Sequence, residues 1–340
     1  MKRPAIRTVL AFSTLALALS VVWVTGCSRT DSPLAPQLGS PYSAGASSQV
    51  IRMEDPGIRT AIAAQDRATP GLLGHGILGT GVSVDAAGKP VIVVYTERVG
   101  VGVPKEIDGI ATRTLVTGQV VPYAKPGGGG PLKMGTSTGN DNECASGTLG
   151  CVVTKGGADY FLSNNHVFAR ENAAHTGERI DAPGRYDGHP ICAQTPQIGT
   201  LAGFKAINFG GSNTVDCAIA QPSSGLSYSA VESGGYTPSS TTVSPAVGLA
   251  VKKSGRTSGL THGNILAVNV TITVGYTDGT ATFTGQIQTP GNFIRSGDSG
   301  SLMVTETGNN PVGLCFAGSS QASFANPIGP VLQALGVSMK

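Results

Sequence analysis

Charged and aromatic side chains are scarce in this sequence. Of its 340 residues 13% are charged and 5% are aromatic. So thin a supply of Lys, Arg and Glu excludes a coiled coil, and a formal net charge of +3 with no basic block beyond the leader excludes nucleic acid as a partner. No two cysteines stand in CxxC spacing, so a zinc-type metal site has no support, and nothing calls for a cofactor. No histidine lies beyond His262. What the chain has in quantity is glycine, 49 residues of it, set between short apolar runs, the profile of a β-rich protein with many turns.

The first residues address the protein. Lys2, Arg3 and Arg7 precede the apolar run TVLAFSTLALALSVVWV, which is near the lower limit for spanning a bilayer, and a small-residue cleavage site follows. Val24-Thr25-Gly26-Cys27 resembles a bacterial lipobox, with Val24 where Leu is usual. Residues 1–26 therefore read as a lipoprotein signal peptide and Cys27 as the lipidated first mature residue, anchoring the protein to a membrane. Ser28 favours the outer membrane by resemblance to sorting rules in bacteria with two membranes; without lipidation the protein is secreted. Export makes disulfides the default state for the remaining cysteines. These are Cys144, Cys151, Cys192, Cys217 and Cys315, an odd number, with Cys144–Cys151 and Cys192–Cys217 as candidate bridges and the connectivity left open.

Residues 27–50 are rich in Ser, Pro, Ala and Gly and read as a flexible tether. Residues 51–125 form a small α/β unit, with a helix over 58–68, strands over 76–84 and 91–97, and a further hairpin around Thr117-Gly118. This unit is expected to be a pro-region, a binding module or a spacer. Residues 126–142 read as a Gly-rich linker. From 143 to 340 short apolar strands alternate with Gly, Ser, Thr and Asn turns, a rhythm of antiparallel β-barrels or a sandwich, and the only late helix is GPVLQALGV.

The segment IRSGDSGSLMV, residues 294–304, places Ser299 in a tight turn between Gly297 and Gly300. A serine becomes a nucleophile only beside a base that a third group orients. Because every histidine precedes Ser299, α/β-hydrolases and lipases with a GDS motif are excluded, and GDSGS also departs from GxSxG. His166, at the end of DYFLSNN, is the best candidate base; His175, His189 and His262 sit in polar or turn segments. Asp216 in TVDCAIAQP stands among apolar neighbours, where an ionised carboxylate is costly unless partnered.

The order His166, Asp216, Ser299, with SNNHVFA, NTVDCAIA and GDSGS around them, resembles the bacterial trypsin-like (chymotrypsin-fold) serine peptidases. VKKSGRTSGLTHGNI and VGLCFAGSS…ANPI add to the likeness, which covers roughly residues 143–338. The resemblance implies a mainly β chain of two six-stranded antiparallel Greek-key β-barrels preceded by the small α/β domain. It implies a serine endopeptidase acting on protein or peptide substrates, with an oxyanion hole from the amides of Gly297 and Ser299. It also implies substrate contacts from Phe293, Phe316, Ala317 and Gly318, and an ion pair between Asp298 and Lys253, with Arg256 as second choice. Phe293 stands where trypsin has an acid, so specificity for Lys or Arg is not implied. Ser301 replaces the usual glycine, and no cysteine follows His166. The rival reading is a catalytically silent barrel-fold lipoprotein that serves as a protein-binding scaffold.

Overall fold

The strand Ala267–Tyr276 shows how the described chain is put together. Its β-branched run NVTITV alternates in and out, and its long hairpin partner is the strand Gly279–Pro290. Its other edge pairs antiparallel with Ile77–Val84 from the N-terminal unit, Gly79 facing Ile272 and Thr80 facing Thr271. A Cβ at Gly79 would lie 1.8 Å from the Thr271 carbonyl oxygen, so only glycine permits this approach. The structure is a computed structural model and describes residues 50–120 and 132–340. The signal segment, Cys27 and nearly all of the tether lie outside the described residues.

The protein is mainly β. Among the described residues one sheet has twelve strands and another eight. The larger sheet runs from Gly259–Asn264 through Ala250–Gly255, Leu302–Thr305, Pro311–Gly318, Ala322–Pro327, Gly279–Pro290 and Ala267–Tyr276 into Ile77–Val84, Pro90–Thr96, Ile110–Val116 and Glu106–Ile107, with Ser212–Asn213 as a twelfth, short strand parallel to Gly279–Pro290. The smaller holds Ser338–Met339, Cys151–Lys155, Ala158–Ser163, Ala218–Pro222, Gln197–Phe204, Arg179–Asp181, Ser137–Asn140 and Gly147–Thr148. The described residues belong to one compact unit, in which the strands of the N-terminal unit extend the larger sheet.

Local expectations fared unevenly. The helix expected over 58–68 is Pro56–Leu72, opened by a proline in its first turn and burying Ile58, Ala61, Ala64 and Gln65. The late helix is Ile328–Leu335, closed by Gly336 at φ 64°. Of the hairpin expected around Thr117-Gly118, Ile110–Val116 is a strand lying parallel to Pro90–Thr96 and residues 117–120 form no strand, while the rest of its second arm lies outside the described residues. Residues 132–142, expected in the linker, contain the strands Leu132–Met134 and Ser137–Asn140. Small residues there serve close packing; a Cβ at Gly139 would come within 2.9 Å of the Ala145 carbonyl oxygen.

The cysteine pairing also differs from both candidates. Cys144 bonds to Cys192, joining two loops with Cα atoms 5.1 Å apart, while Cys151, Cys217 and Cys315 are free and buried. Cys151 and Cys217 act as small apolar groups in a core cluster with Val153, Leu162 and Leu314.

Glu232, at the end of the strand Tyr228–Glu232, is fully buried, and neither carboxyl oxygen has a hydrogen-bond partner among the described residues. Burial without a partner pushes its carboxyl well above the ordinary range, so the folded protein holds it protonated. The unfolded chain releases that proton near pH 4.3, so stability declines as pH rises from there toward the folded value, by about 1.4 kcal/mol per pH unit. Glu232→Met should therefore raise stability at pH 7 by roughly 2–3 kcal/mol and abolish this slope. Denaturant melts of both proteins at pH 5 and pH 8 check it; an equal gap at the two pH values would contradict the assignment.

Candidate active site

Two paired strands bring the base and the acid together. Ala158–Ser163 pairs with Ala218–Pro222, Ser163 facing Ala218, so the segment before the second strand runs beside the helical turn Asn165–Phe168. Asp216 sits in that segment, two residues ahead of the strand in which sequence patterning placed it. His166 Nδ1 lies 2.6 Å from Asp216 Oδ2, and the His166 backbone N–H reaches Oδ1 at 3.3 Å. The Asp216 carboxylate is fully buried, and the His166 side chain is 9% exposed.

The surrounding polar residues act over long sequence distances rather than locally. Asn164 Nδ2 donates to the Asp216 carbonyl at 2.7 Å, Asn165 Nδ2 donates to the Lys205 carbonyl at 2.7 Å, and Ser163 Oγ donates to the Thr148 carbonyl at 2.8 Å. The Asp216 N–H donates to Asn326 Oδ1 at 3.0 Å. Tyr276 adds a donor that sequence reasoning missed: its hydroxyl lies 2.9 Å from Asp216 Oδ2. A tyrosine at a strand end carries no pattern that would have singled it out.

Ser299 stands on its turn as the glycines dictate. Gly297 has φ 105° and Gly300 has φ 95°, both in the left-handed region. A Cβ at Gly300 would sit 2.2 Å from both Ser163 Oγ and the Thr148 carbonyl oxygen. Thr148 straps the turn, its N–H donating to the Ser299 carbonyl at 2.7 Å and its Oγ1 to the Gly297 carbonyl at 2.6 Å. The serine and histidine segments meet at Gly147, where a Cβ would lie 2.5 Å from Val167 Cγ2 and 3.0 Å from the Ser299 carbonyl oxygen. The Ser299 hydroxyl donates to the Phe316 carbonyl at 3.1 Å, and His166 Nε2 is buried with no hydrogen-bond partner among the described residues.

Asp298 underpins the turn. Lys253 Nζ lies 3.3 Å from Asp298 Oδ2 with both side chains wholly buried, and the Lys253 ammonium also donates to Ser258 Oγ and to the Gly259 carbonyl. The carboxylate accepts further from the backbone N–H groups of Arg295 at 2.8 Å, Thr257 at 3.0 Å and Ser258 at 3.1 Å. Burial pulls the Lys253 ammonium below its usual range, while Asp298 works in the opposite direction. Arg256, the second choice for this pairing, bonds instead to Asp187 at 2.5 Å and 2.9 Å.

Burial pushes the His166 imidazole down, yet the carboxylate of Asp216, its hydrogen bond, and the charges of Glu171 and Glu143 together carry it above the ordinary value. Phe316, Ala317 and Gly318 are all buried, and the cluster that holds Phe316 and Ala317 also takes in Val120 and Leu115 from the N-terminal unit. Phe293 packs in the core with Ile265 and Ile294 and is 1% exposed. His175, His189 and His262 are exposed. Among the described residues no group of His, Cys, Asp and Glu is placed to hold a metal ion.

No protein-family model matches the chain, and no curated protein matches it. Solved structures similar to it include a glutamic acid-specific serine protease that uses a histidine triad in substrate binding. That likeness has 24% identity and a TM-score of 0.46, covering 62% of this chain and 100% of the other. Thermobifida fusca protease A is similar at 23% identity and TM-score 0.44, over 61% of this chain and 97% of its own. Cellulomonas bogoriensis chymotrypsin is similar at 22% identity and TM-score 0.42, over 62% of this chain and 98% of its own.

Proposed function

We propose that the protein is a serine endopeptidase that cleaves peptide bonds through an acyl-enzyme, on a pair of β-barrels built from the two large sheets. The observation that carries this reading is the buried His166–Asp216 pair at 2.6 Å, and it is supported by a serine held on a double-glycine turn by Thr148. Ser299 attacks the substrate carbonyl, His166 Nε2 takes its proton and returns it to the leaving amine, and Asp216 holds the ring with Nε2 facing the serine. The amides of Gly297 and Ser299 converge on the oxyanion. The reading requires the Ser299 hydroxyl to leave the Phe316 carbonyl and donate to Nε2, in keeping with catalytic hydrogen bonds that tighten only when substrate binds.

The N-terminal unit is proposed as a pro-region or binding module over the substrate-binding edge at Phe316, Ala317 and Gly318. Its Leu115 and Val120 share the apolar cluster of that edge, which supports a covering role. Export through residues 1–26 and lipidation at Cys27 complete the reading, and place the activity in the cell envelope.

A fluorophosphonate probe should label Ser299 covalently. Because the imidazole must be neutral to act as base, labelling should fade as the pH falls through a midpoint above 6.5, the unperturbed imidazole value. N-terminal sequencing of the labelled form reports whether the N-terminal unit is retained. A properly folded protein that takes no label would favour the silent scaffold.

A further inference from the structure

We propose that Tyr276 is a positioning residue of this triad: its hydroxyl pins the Asp216 carboxylate and limits how strongly that carboxylate stabilises the His166 imidazolium. The inference rests on the peptidase reading but concerns a group which that reading does not use. Two donors meet at one oxygen: Asp216 Oδ2 receives the Tyr276 hydroxyl at 2.9 Å and lies 2.6 Å from His166 Nδ1. The remaining carboxylate oxygen takes the long bond from the His166 backbone N–H, at 3.3 Å. Among the described residues, Tyr276 and His166 are the side chains that set the plane of this buried carboxylate.

The ring is held as firmly as its hydroxyl. It meets the His166 ring edge-on with centroids 6.0 Å apart, and contacts Phe209 at 5.8 Å and Phe283 at 6.1 Å. Tyr276 closes the strand Ala267–Tyr276, whose outer edge is paired by Ile77–Val84, and the preceding Gly275 N–H donates to the Val120 carbonyl at 3.3 Å. The following Thr277 N–H donates to Glu171 at 2.9 Å. The strand end is thus braced on both sides of the tyrosine by backbone bonds that survive removal of the hydroxyl. Burial, and then the neighbouring Asp216 charge, push the phenol well above its usual value, so it remains a donor throughout the working range.

A hydroxyl donating to Oδ2 draws charge from the oxygen that faces the imidazole. Removing it should make Asp216 a stronger partner for the charged ring while loosening the ring's orientation. The other charged groups acting on His166 are Asp216 itself, Glu171 and Glu143, and none is altered by Tyr276→Phe.

The test is an NMR titration of the His166 ring in the full chain and in Tyr276→Phe, with steady-state peptide hydrolysis measured alongside. The ring's midpoint should rise by about 0.5 pH unit or more, and kcat should fall roughly ten- to a hundredfold, with KM nearly unchanged. Glu171→Gln calibrates the sign, since removing that charge should lower the midpoint. A His166 midpoint that does not move in Tyr276→Phe overturns the proposal, whether or not the rate falls. Because the titration needs no turnover, it decides the role of Tyr276 even if the wild-type protein takes no fluorophosphonate label, an outcome that counts against the peptidase reading alone.

Discussion

Ser299→Ala should lower peptide hydrolysis by roughly six orders of magnitude and leave the fold intact. The size of the effect follows from the proposed mechanism, in which the three side chains act as a unit, so losing the nucleophile is nearly equivalent to losing all three. Retention of structure follows from the packing. The Ser299 hydroxyl donates to the Phe316 carbonyl, whereas the turn is held through backbone atoms by Thr148 and through Asp298 by Lys253. The measurement is turnover of a generic peptide substrate, with circular dichroism as the control. A variant that keeps a tenth of wild-type activity would remove Ser299 from the mechanism.

Lys253→Met should unfold or cripple the protein, at a cost of about 3–5 kcal/mol, because it leaves the Asp298 carboxylate buried without its cation. The three backbone N–H bonds to that carboxylate argue for the lower end of this range. Activity should suffer more than stability accounts for. Asp298 sits between the two amides assigned to the oxyanion hole, and Gly255 is packed so tightly against it that a Cβ there would lie 2.4 Å from Oδ1. Any shift of the acid therefore tilts the donors, and misplacing one of them typically costs a factor of about 10²–10³ in rate. The double variant Lys253→Met, Asp298→Asn should recover much of the stability and little of the activity. Denaturant melts and active-site labelling separate the two effects, and a Lys253→Met protein as stable as wild type would rule out the pairing.

How much of this was legible beforehand can be judged from particular residues. His166, Asp216 and Ser299 stood out because the chemistry accepts few residue types, and because the chain has no histidine after the serine. Lys253 was preferred to Arg256 by resemblance, and the structure gives Arg256 a separate partner in Asp187. Asp216 was found through its apolar neighbours, although it lies two residues outside the strand that begins at Ala218. The Cys144–Cys192 bond was missed because spacing along the chain says nothing about which loops meet. The residues of 132–142 were misjudged because small side chains look alike in a linker and in a close-packed strand.

The amino-acid sequence alone determined the mainly β character, through the alternation of β-branched residues between turn formers, and the places where only glycine fits. It also determined which side chains were capable of serving as base, acid and nucleophile. Tertiary structure alone decided that an N-terminal strand closes against Ala267–Tyr276, and that a tyrosine at the end of that strand shares an oxygen with the histidine. The reason is physical: a side chain's type sets what it can donate or accept, while its direction and its distant neighbour depend on how separately formed strands pack.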